Sequence, residues 1–252
     1  MRISIPLVIR LVVLALLIAF LVSPETFAPV FQPLTHNGQP AIYNQGTLLD
    51  LTLNHLGITA LATALATVVA VGLAILVTRP FGTDFLPLSR SLADIGQTFP
   101  PVAVLALAVP ILGFGTAPTL VALFLYGLLP IFENALTGLT TLPPAITEAA
   151  RGMGMSWWQR LARVELPLAF PVIIAGIRLS TVISLATATI GSTVAARTLG
   201  EVIIAGLTAG NIAFVLQGGL IVAVLAVLIY DGMSALERVL VTRSGGGRVV
   251  EA

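Results

Sequence analysis

The stretch NHLGITALATALATVVAVGLAILV, residues 54–77, decides the fold class of this chain. It contains no Asp, Glu, Lys or Arg, and it exceeds the roughly 20 apolar residues that cross a bilayer. Its apolar residues form a continuous block, whereas the strands of a membrane β-barrel alternate apolar with polar residues. The stretch therefore predicts a membrane-spanning α-helix.

The composition of the whole chain agrees with this interpretation. Hydrophobic residues make up 57% of it and charged residues only 9%, and a soluble domain is about one quarter charged. Because only helices or closed barrels satisfy their backbone groups in lipid, we expect an all-α, polytopic helical membrane protein in contact with membrane lipid. The absence of Cys excludes disulfides and thiolate metal sites, and we expect no metal. The net charge of +1 offers no bulk attraction to nucleic acid.

Six candidate spans follow from the apolar blocks: about 5–22, 54–77, 92–112, 118–138, 170–192 and 212–236. The third contains Pro100, Pro101 and Pro110, which predict a kink or a helix that begins late. The first could be a signal peptide, but no small-x-small cleavage site is evident near 23–28, and we favour a retained helix.

Arginine placement predicts the orientation, because short cytoplasmic segments are enriched in Arg and Lys. With the N-terminus inside, eleven of the twelve basic residues lie in cytoplasmic segments or toward the cytoplasmic ends of spans. Only Arg197 lies outside. Both termini are therefore expected in the cytoplasm. We expect an N-terminal helix and a polar outside loop over 1–53, a transmembrane domain over 54–236 with a cytoplasmic loop at 139–168, and a flexible tail over 237–252.

The cytoplasmic loop contains EAARGMGMSWWQRLARVELP, residues 148–167. Pro143 and Pro144 preset the start of a short helix, and Gly152 and Gly154 interrupt it. Ser156 and Gln159 have capping-box spacing, which predicts the start of a second helix. The loop thus has the pattern of a helix, a glycine turn and a helix.

Side chains of the loop suggest a docking surface. Ala149 and Ala150 would let the backbone of another protein approach closely, and Met153 and Met155 supply flexible apolar contacts. A loop that only joined two spans would need about 2–8 residues, far fewer than this one has. Trp157 and Trp158 are interpreted as interfacial anchors, with partner contact as the alternative.

Seven residues of the loop carry a resemblance to a known family: Glu148, Ala149, Ala150, Gly154, Val164, Leu166 and Pro167. Their spacing resembles the EAA loop of ABC importer permeases, although that family usually has Ile where Val164 stands. The resemblance implies a type I ABC permease fold whose loop docks in a groove of a separate ABC ATPase subunit. ATP would act on that partner, and this chain would bind no cofactor. The coupling residues implied are Ala145, Thr147, Glu148, Ala149, Ala150, Arg151, Gly152, Met153, Gly154 and Met155.

Further segments resemble the osmoprotectant branch of that family, notably 97–100, 128–131, 151–155 and 174–178. The resemblance implies import of glycine betaine, choline or carnitine across the inner membrane. It also implies a periplasmic or extracellular substrate-binding protein and a second permease copy, identical or related. Two features depart from the branch. Ala195–Gly200 replaces a glycine-rich run, and Glu133 stands where a basic residue is common.

Candidate residues of a translocation pathway come from the predicted spans. An ionisable residue in a span suggests a functional role, and Glu133, Asp94 and Arg178 are such residues. We favour pairing of Glu133 and Asp94 with Arg90 or Arg178 over a role in transport. The hydroxyl residues of the fifth span, Ser180, Ser184 and Thr187 among them, indicate close helix packing or a polar pathway.

Other functions remain open from the residues alone. An ion-coupled secondary transporter would need midplane carboxylates, which only Asp94 and Glu133 could supply. An ABC permease for another small solute, such as an amino acid, and a passive structural subunit are further alternatives. No HExxH, GxSxG or paired-carboxylate motif is present, and without Lys there is no P-loop. We therefore expect a transport subunit that is not itself an enzyme.

Overall fold

The computed structural model of this chain describes residues 5–36 and 38–243. In that part of the chain every regular element is helical. The main helices are α1 (Ile5–Val22), α2 (Leu48–Val77), α3 (Leu86–Thr98), α4 (Pro101–Leu112), α5 (Thr116–Thr140), α6 (Pro144–Gly152), α7 (Trp157–Arg160), α8 (Leu166–Ala188), α9 (Gly200–Ala209) and α10 (Ile212–Arg243). Short helical turns at Pro24–Phe27, Ala28–Phe31, Gln32–Leu34, Thr83–Phe85 and Thr189–Val194, and a π-helical turn at Leu161–Glu165, complete the order.

The all-α membrane fold predicted from the sequence is confirmed. Within the described residues, four helical stretches are long and apolar enough to cross a bilayer: Leu48–Val77, Thr116–Thr140, Trp157–Val194 and Ile212–Val239. Two bent pairs also qualify, Val8–Val22 with Pro24–Leu34 at 112° and Thr83–Thr98 with Pro101–Leu112 at 98°. Counting each bent pair as one span gives up to six, the number predicted.

The third predicted span, 92–112, is not continuous. It is divided between α3 and α4, and Phe99 between them is extended, as expected for a residue before proline. Pro101 is the first residue of α4, where its missing N–H leaves no intrahelical bond unmade. Both expectations for this span are met, because the chain bends by 98° at the break and the second helix begins only at Pro101.

Helix α2 begins at Leu48, six residues before the predicted start at 54. The Oγ1 atom of Thr47 accepts a hydrogen bond of 3.2 Å from the backbone N–H of Asp50, which is an N-cap. Thr47 and Asp50 have capping-box spacing in the sequence, a signal that could have placed this start. The boundary expected between residues 53 and 54 therefore falls inside a helix.

The chain divides into two compact units. The first comprises the described part of 1–61 together with Pro101–Leu123 and Ser184–Ile229. Its core combines α1, the segment at 41–43, α9 and α10, and it includes Phe20, Ile42 and Phe214. Ile42 and Tyr43 are each only 3% exposed. The polar outside loop expected within 1–53 is therefore buried at residues 41–43.

The second unit comprises Ala62–Pro100, Phe124–Ile183 and the described part of 230–252. Its core contains a stripe of fully buried alanines on α2, Ala66, Ala70 and Ala74, packed with residues of α5 and α8. At Gly96 of α3, an added Cβ atom would lie 2.0 Å from the carbonyl oxygen of Leu125 in α5. Small residues thus permit the close helix approach expected in a membrane protein.

Helix α10 continues to Arg243, so residues 237–243 are helical where the sequence suggested a flexible tail. Glu237 in this stretch pairs with Arg178 of α8, and that pair helps to order it. The remainder of the expected tail, residues 244–252, lies outside the described residues.

Candidate functional site

The predicted loop between α5 and α8 folds as a helix, a glycine turn and a helix. Helix α6 begins at Pro144 and ends in a Schellman motif, in which Met155 N–H donates to Ala150 O at 3.2 Å and Gly154 N–H donates to Arg151 O at 2.9 Å. Gly154 has a φ of +73°, a left-handed conformation that side chains rarely adopt. The turn therefore requires glycine at position 154.

Ser156 begins the second half of the loop with the predicted capping box. Its Oγ accepts from Gln159 N–H, and its own N–H donates to Gln159 Oε1 at 2.8 Å. Helix α7 then passes through the π-helical turn at Leu161–Glu165 directly into α8. Such π-helical turns are rare and occur frequently at functional sites.

Most of the predicted coupling residues lie on the surface. Ala145, Glu148, Ala149, Arg151, Gly152, Met153 and Gly154 are exposed, and Thr147 and Met155 are half-buried. Ala150 is the exception, because it is 1% exposed and packs against the chain itself. The small-residue surface expected from two alanines therefore consists of Ala149 alone. The carboxylate of Glu148 forms no ion pair with any residue that the structure describes.

A buried ionic group lies beneath this surface. The Nη2 atom of Arg79 lies 2.6 Å from Glu165 Oε2, and both residues are almost fully buried. The Nε atom of Arg160 lies 3.6 Å from the other carboxylate oxygen, too far for a hydrogen bond but close enough for charge attraction. Arg79 follows the end of α2 and Glu165 ends the π-helical turn. The group therefore ties α2 to the second half of the loop.

This buried group was missed by the sequence reasoning. A signal existed, because Glu165 is an acidic residue placed between the apolar residues Val164 and Leu166. Nothing in the sequence identified Arg79 as its partner, which lies 86 positions away.

A cleft of about 650 Å³ opens between the loop and the ends of α2 and α5. Three arginines line it, Arg79, Arg151 and Arg160, with Glu165 as the one lining carboxylate among the described residues. Thr147 and Trp157 form part of its wall on the loop side. The rings of Trp157 and Trp158 stack on each other at a centroid distance of 4.1 Å. Trp158 is 61% exposed and remains available to lipid or to a partner.

Two of the candidate pathway residues are in ion pairs. Glu133 accepts from Arg90 Nε at 2.6 Å, the pairing favoured from the sequence. Arg178 pairs with Glu237, donates to Ser234 Oγ at 2.9 Å, and lies 4.8 Å from the ring centroid of Tyr230. Asp94 was expected to pair with an arginine, but it forms no ion pair within the described part of the chain.

The hydroxyl residues of α8 face the protein interior. Ser180 and Ser184 are fully buried, and their Oγ atoms have no hydrogen-bond partner among the described residues. Thr187 is half-buried. An added Cβ atom at Gly127 of α5 would lie 2.7 Å from Ser180 Oγ, so these helices pack closely there. The burial of both serines favours the packing interpretation. A role in the translocation pathway stays a prediction for Glu133, Arg178, Ser180, Ser184 and Thr187.

Comparison with known proteins extends this description. Residues 70–241 match the family described as "Binding-protein-dependent transport system inner membrane component". The osmoprotectant import permease protein OsmY of Salmonella typhimurium is 39% identical over 185 residues, 73% of this chain and 78% of that protein. The glycine betaine/carnitine/choline transport system permease protein OpuCB of Bacillus subtilis is 37% identical over 196 residues, 77% of this chain and 89% of that protein.

A solved structure shares the fold. The inward-facing MetNI methionine ABC transporter superposes with a TM-score of 0.67 at 20% identity, covering 77% of this chain and 95% of that one. The family match spans more than half of the chain and contains the entire loop from α5 to α8. This chain therefore belongs to the inner membrane components of binding-protein-dependent transport systems, the permease subunits of ABC importers.

Proposed function

We propose that this chain translocates a small osmoprotectant, such as glycine betaine, choline or carnitine, across the inner membrane. The proposal rests on the names of its relatives, OsmY and OpuCB, which are permeases for such solutes. The chain holds no P-loop, so the ATP that drives transport is hydrolysed on a separate ATPase subunit. A substrate-binding protein delivers the solute, and a second permease copy completes the pathway.

The coupling role rests on one observation, which is that helix α6 is exposed and lies above the buried ion pair of Arg79 and Glu165. Glu148, Ala149 and Met153 present a surface that the rest of the second unit leaves uncovered. Arg79 and Glu165 connect the same loop to α2. A displacement of the loop by the ATPase is therefore passed to a membrane helix through a short, buried contact. The ATPase shifts the permease between its states only through its different affinity for each of them.

A substitution at Gly154 tests this coupling. Gly154→Ala strains the left-handed turn between α6 and α7, so we expect loss of ATPase co-purification and of solute uptake. Gly219→Ala is the matched control, since an added Cβ atom there meets nothing within 4 Å. Glu148→Ala changes the exposed surface without backbone strain and should weaken the same two readouts.

Wild-type levels of co-purification and uptake in both loop variants would contradict the coupling role. Uptake that survives ATP depletion and collapses with the ion gradient would instead support a secondary transporter. If the complete transporter takes up an amino acid but no osmoprotectant, the ABC mechanism stands and the proposed solute is wrong.

A further inference from the structure

Arg197 is exceptional among the basic residues of this chain. It is the single arginine predicted on the outer side of the membrane. Its side chain is exposed and forms no ion pair with any carboxylate in the described residues. The charge of Arg197 acts on the Tyr43 phenol, which holds the Glu201 carboxylate at 2.8 Å, but Arg197 and Glu201 form no ion pair, so the guanidinium is available to an anionic ligand.

The backbone around Arg197 is held firmly in place. Its neighbours Ala196 and Thr198 are buried, at 2% and 0% exposure. Thr198 Oγ1 donates to Ala188 O at 3.0 Å, and Ala195 takes a left-handed conformation with a φ of 65°. The buried flanks leave the guanidinium as the group presented outward at this bend.

A histidine brings a second polar residue to the same place. The Nδ1 atom of fully buried His55 accepts from Leu199 N–H at 3.3 Å, and its Nε2 atom lies 3.0 Å from Leu185 O. This contact fixes α2 against the segment that carries Arg197. Asn54, the residue before His55, is exposed, and its amide has no hydrogen bond with the described residues.

Arg197 and Asn54 share a cavity of about 440 Å³ in the first unit, a volume within the range of small-molecule sites. Thr116 adds a hydroxyl at the start of α5, and Ile58, Leu61 and Leu120 form an apolar wall. The cavity thus has a cationic, hydrogen-bonding side and an apolar side. Of the described residues that line it, none is aromatic.

We propose that this cavity is a transit site for the carboxylate of the transported solute, an inference that rests on the osmoprotectant function proposed above. The Arg197 guanidinium and the Asn54 amide donate to the carboxylate, because a guanidinium matches the two oxygens of that group. The apolar wall receives the methyl groups of the solute. Choline carries the same trimethylammonium group but no carboxylate, and without an aromatic cage the site offers that group no cation–π attraction, so it distinguishes glycine betaine and carnitine from choline.

The exposure of Arg197 sets the strength of the site. Water competes for the guanidinium, so binding is weak compared with a buried ion pair. Weak binding suits a point of passage, which a solute must be able to leave as readily as it enters. Tight selection then belongs to the substrate-binding protein.

The test is equilibrium binding of radiolabelled glycine betaine to the purified permease–ATPase complex, without the binding protein. We expect wild type to bind glycine betaine, with choline a poor competitor. Arg197→Gln should weaken binding about tenfold through loss of a charge-assisted contact. Arg197→Lys should retain most of it, because the positive charge remains. The amount of each variant in the membrane controls for folding.

Different results would contradict the transit site and the proposed osmoprotectant function. Unchanged binding in Arg197→Gln, equal competition by choline, or no binding to wild type would each overturn the transit site. Uptake by the complete transporter in cells separates this from the function itself. If wild type takes up glycine betaine and Arg197→Gln lowers betaine and choline uptake equally, Arg197 docks an acidic protein and the transit site is rejected. If wild type takes up no osmoprotectant, the proposed function falls and the transit site with it.

Discussion

At the scale of single residues, the ion pairs of this chain differ most in burial. Arg79 and Glu165 meet with side chains 9% exposed each, whereas Arg90 and Glu133 meet with side chains 52% and 37% exposed. Removal of one partner from a buried pair leaves an uncompensated charge, which costs far more than the loss of an exposed pair. The two pairs therefore make a matched comparison within one unit.

The first prediction compares Glu165→Gln with Glu133→Gln. Loss of the Glu165 carboxylate leaves Arg79 buried without a counter-charge, and we expect a loss of about 3–5 kcal/mol in the free energy of unfolding. For a chain of this size that corresponds to a fall of roughly 10 °C in the midpoint of thermal unfolding, measured on purified protein in detergent. Glu133→Gln should cost at most about 1 kcal/mol. Equal shifts for the two variants would contradict the structural role assigned to Glu165.

At the scale of elements, the segment at 39–43 is held by polar side chains of α9 and α10. Gln217, which is fully buried, donates to Ala41 O at 2.7 Å and accepts from Tyr43 N–H at 3.1 Å. The Tyr43 hydroxyl donates to Glu201 Oε1 at 2.8 Å. Burial raises the pKa of the Tyr43 phenol above its ordinary value, and the neighbouring Glu201 carboxylate raises it further. The phenol therefore stays protonated and continues to donate this bond.

The second prediction is that Gln217→Leu releases this segment. The change leaves a buried carbonyl and a buried N–H without partners, each costing about 1–3 kcal/mol. We expect faster cleavage between α1 and α2 in limited proteolysis. The control is Gln39→Leu, which removes two exposed hydrogen bonds, one to Ala209 O and one from His36 N–H, and should leave cleavage near the wild-type rate. A Gln217→Leu chain as resistant as wild type would show that the segment is held by apolar packing alone.

The contrast between these elements explains how far the sequence could predict the molecule. The turn at Gly154 and the cap at Ser156 were predicted because their partners lie within a few residues. The contact of Gln217 with Tyr43 joins residues 174 positions apart, and no local pattern announces it. The same holds for Arg79 with Glu165 and for Arg178 with Glu237. The loop of the candidate site could therefore be predicted from the sequence, whereas the buried ion pair of Arg79 and Glu165 beneath it could not.

At the scale of the whole molecule, the distribution of arginine is the basis for the proposed orientation. Eleven of the twelve basic residues belong to segments assigned to the cytoplasm or to their helix ends, and under that proposal the loop at 139–168 would lie inside and the polar loop between α1 and α2 outside. The chain contains no cysteine, so a single introduced thiol can be labelled without background.

The third prediction uses Glu25→Cys and Met153→Cys, two exposed positions on opposite sides of the proposed topology. A membrane-impermeant maleimide should label Glu25→Cys in intact cells. It should label Met153→Cys only after the membrane is opened. The wild-type chain is the control for background. The reverse pattern would invert the topology and remove the loop from the reach of a cytoplasmic ATPase.

The uncovered apolar groups on the loop have a consequence for how the chain is made. Met153 and Trp158 are 70% and 61% exposed on a segment that we place in water rather than in lipid. Under the proposed orientation and coupling, a subunit synthesised in excess of its ATPase partner would expose these apolar side chains to the cytosol, where chaperones and proteases recognise such surfaces. The exposed apolar side chains of the loop therefore make balanced synthesis of the subunits necessary. A copy of this chain without its partners would be degraded quickly.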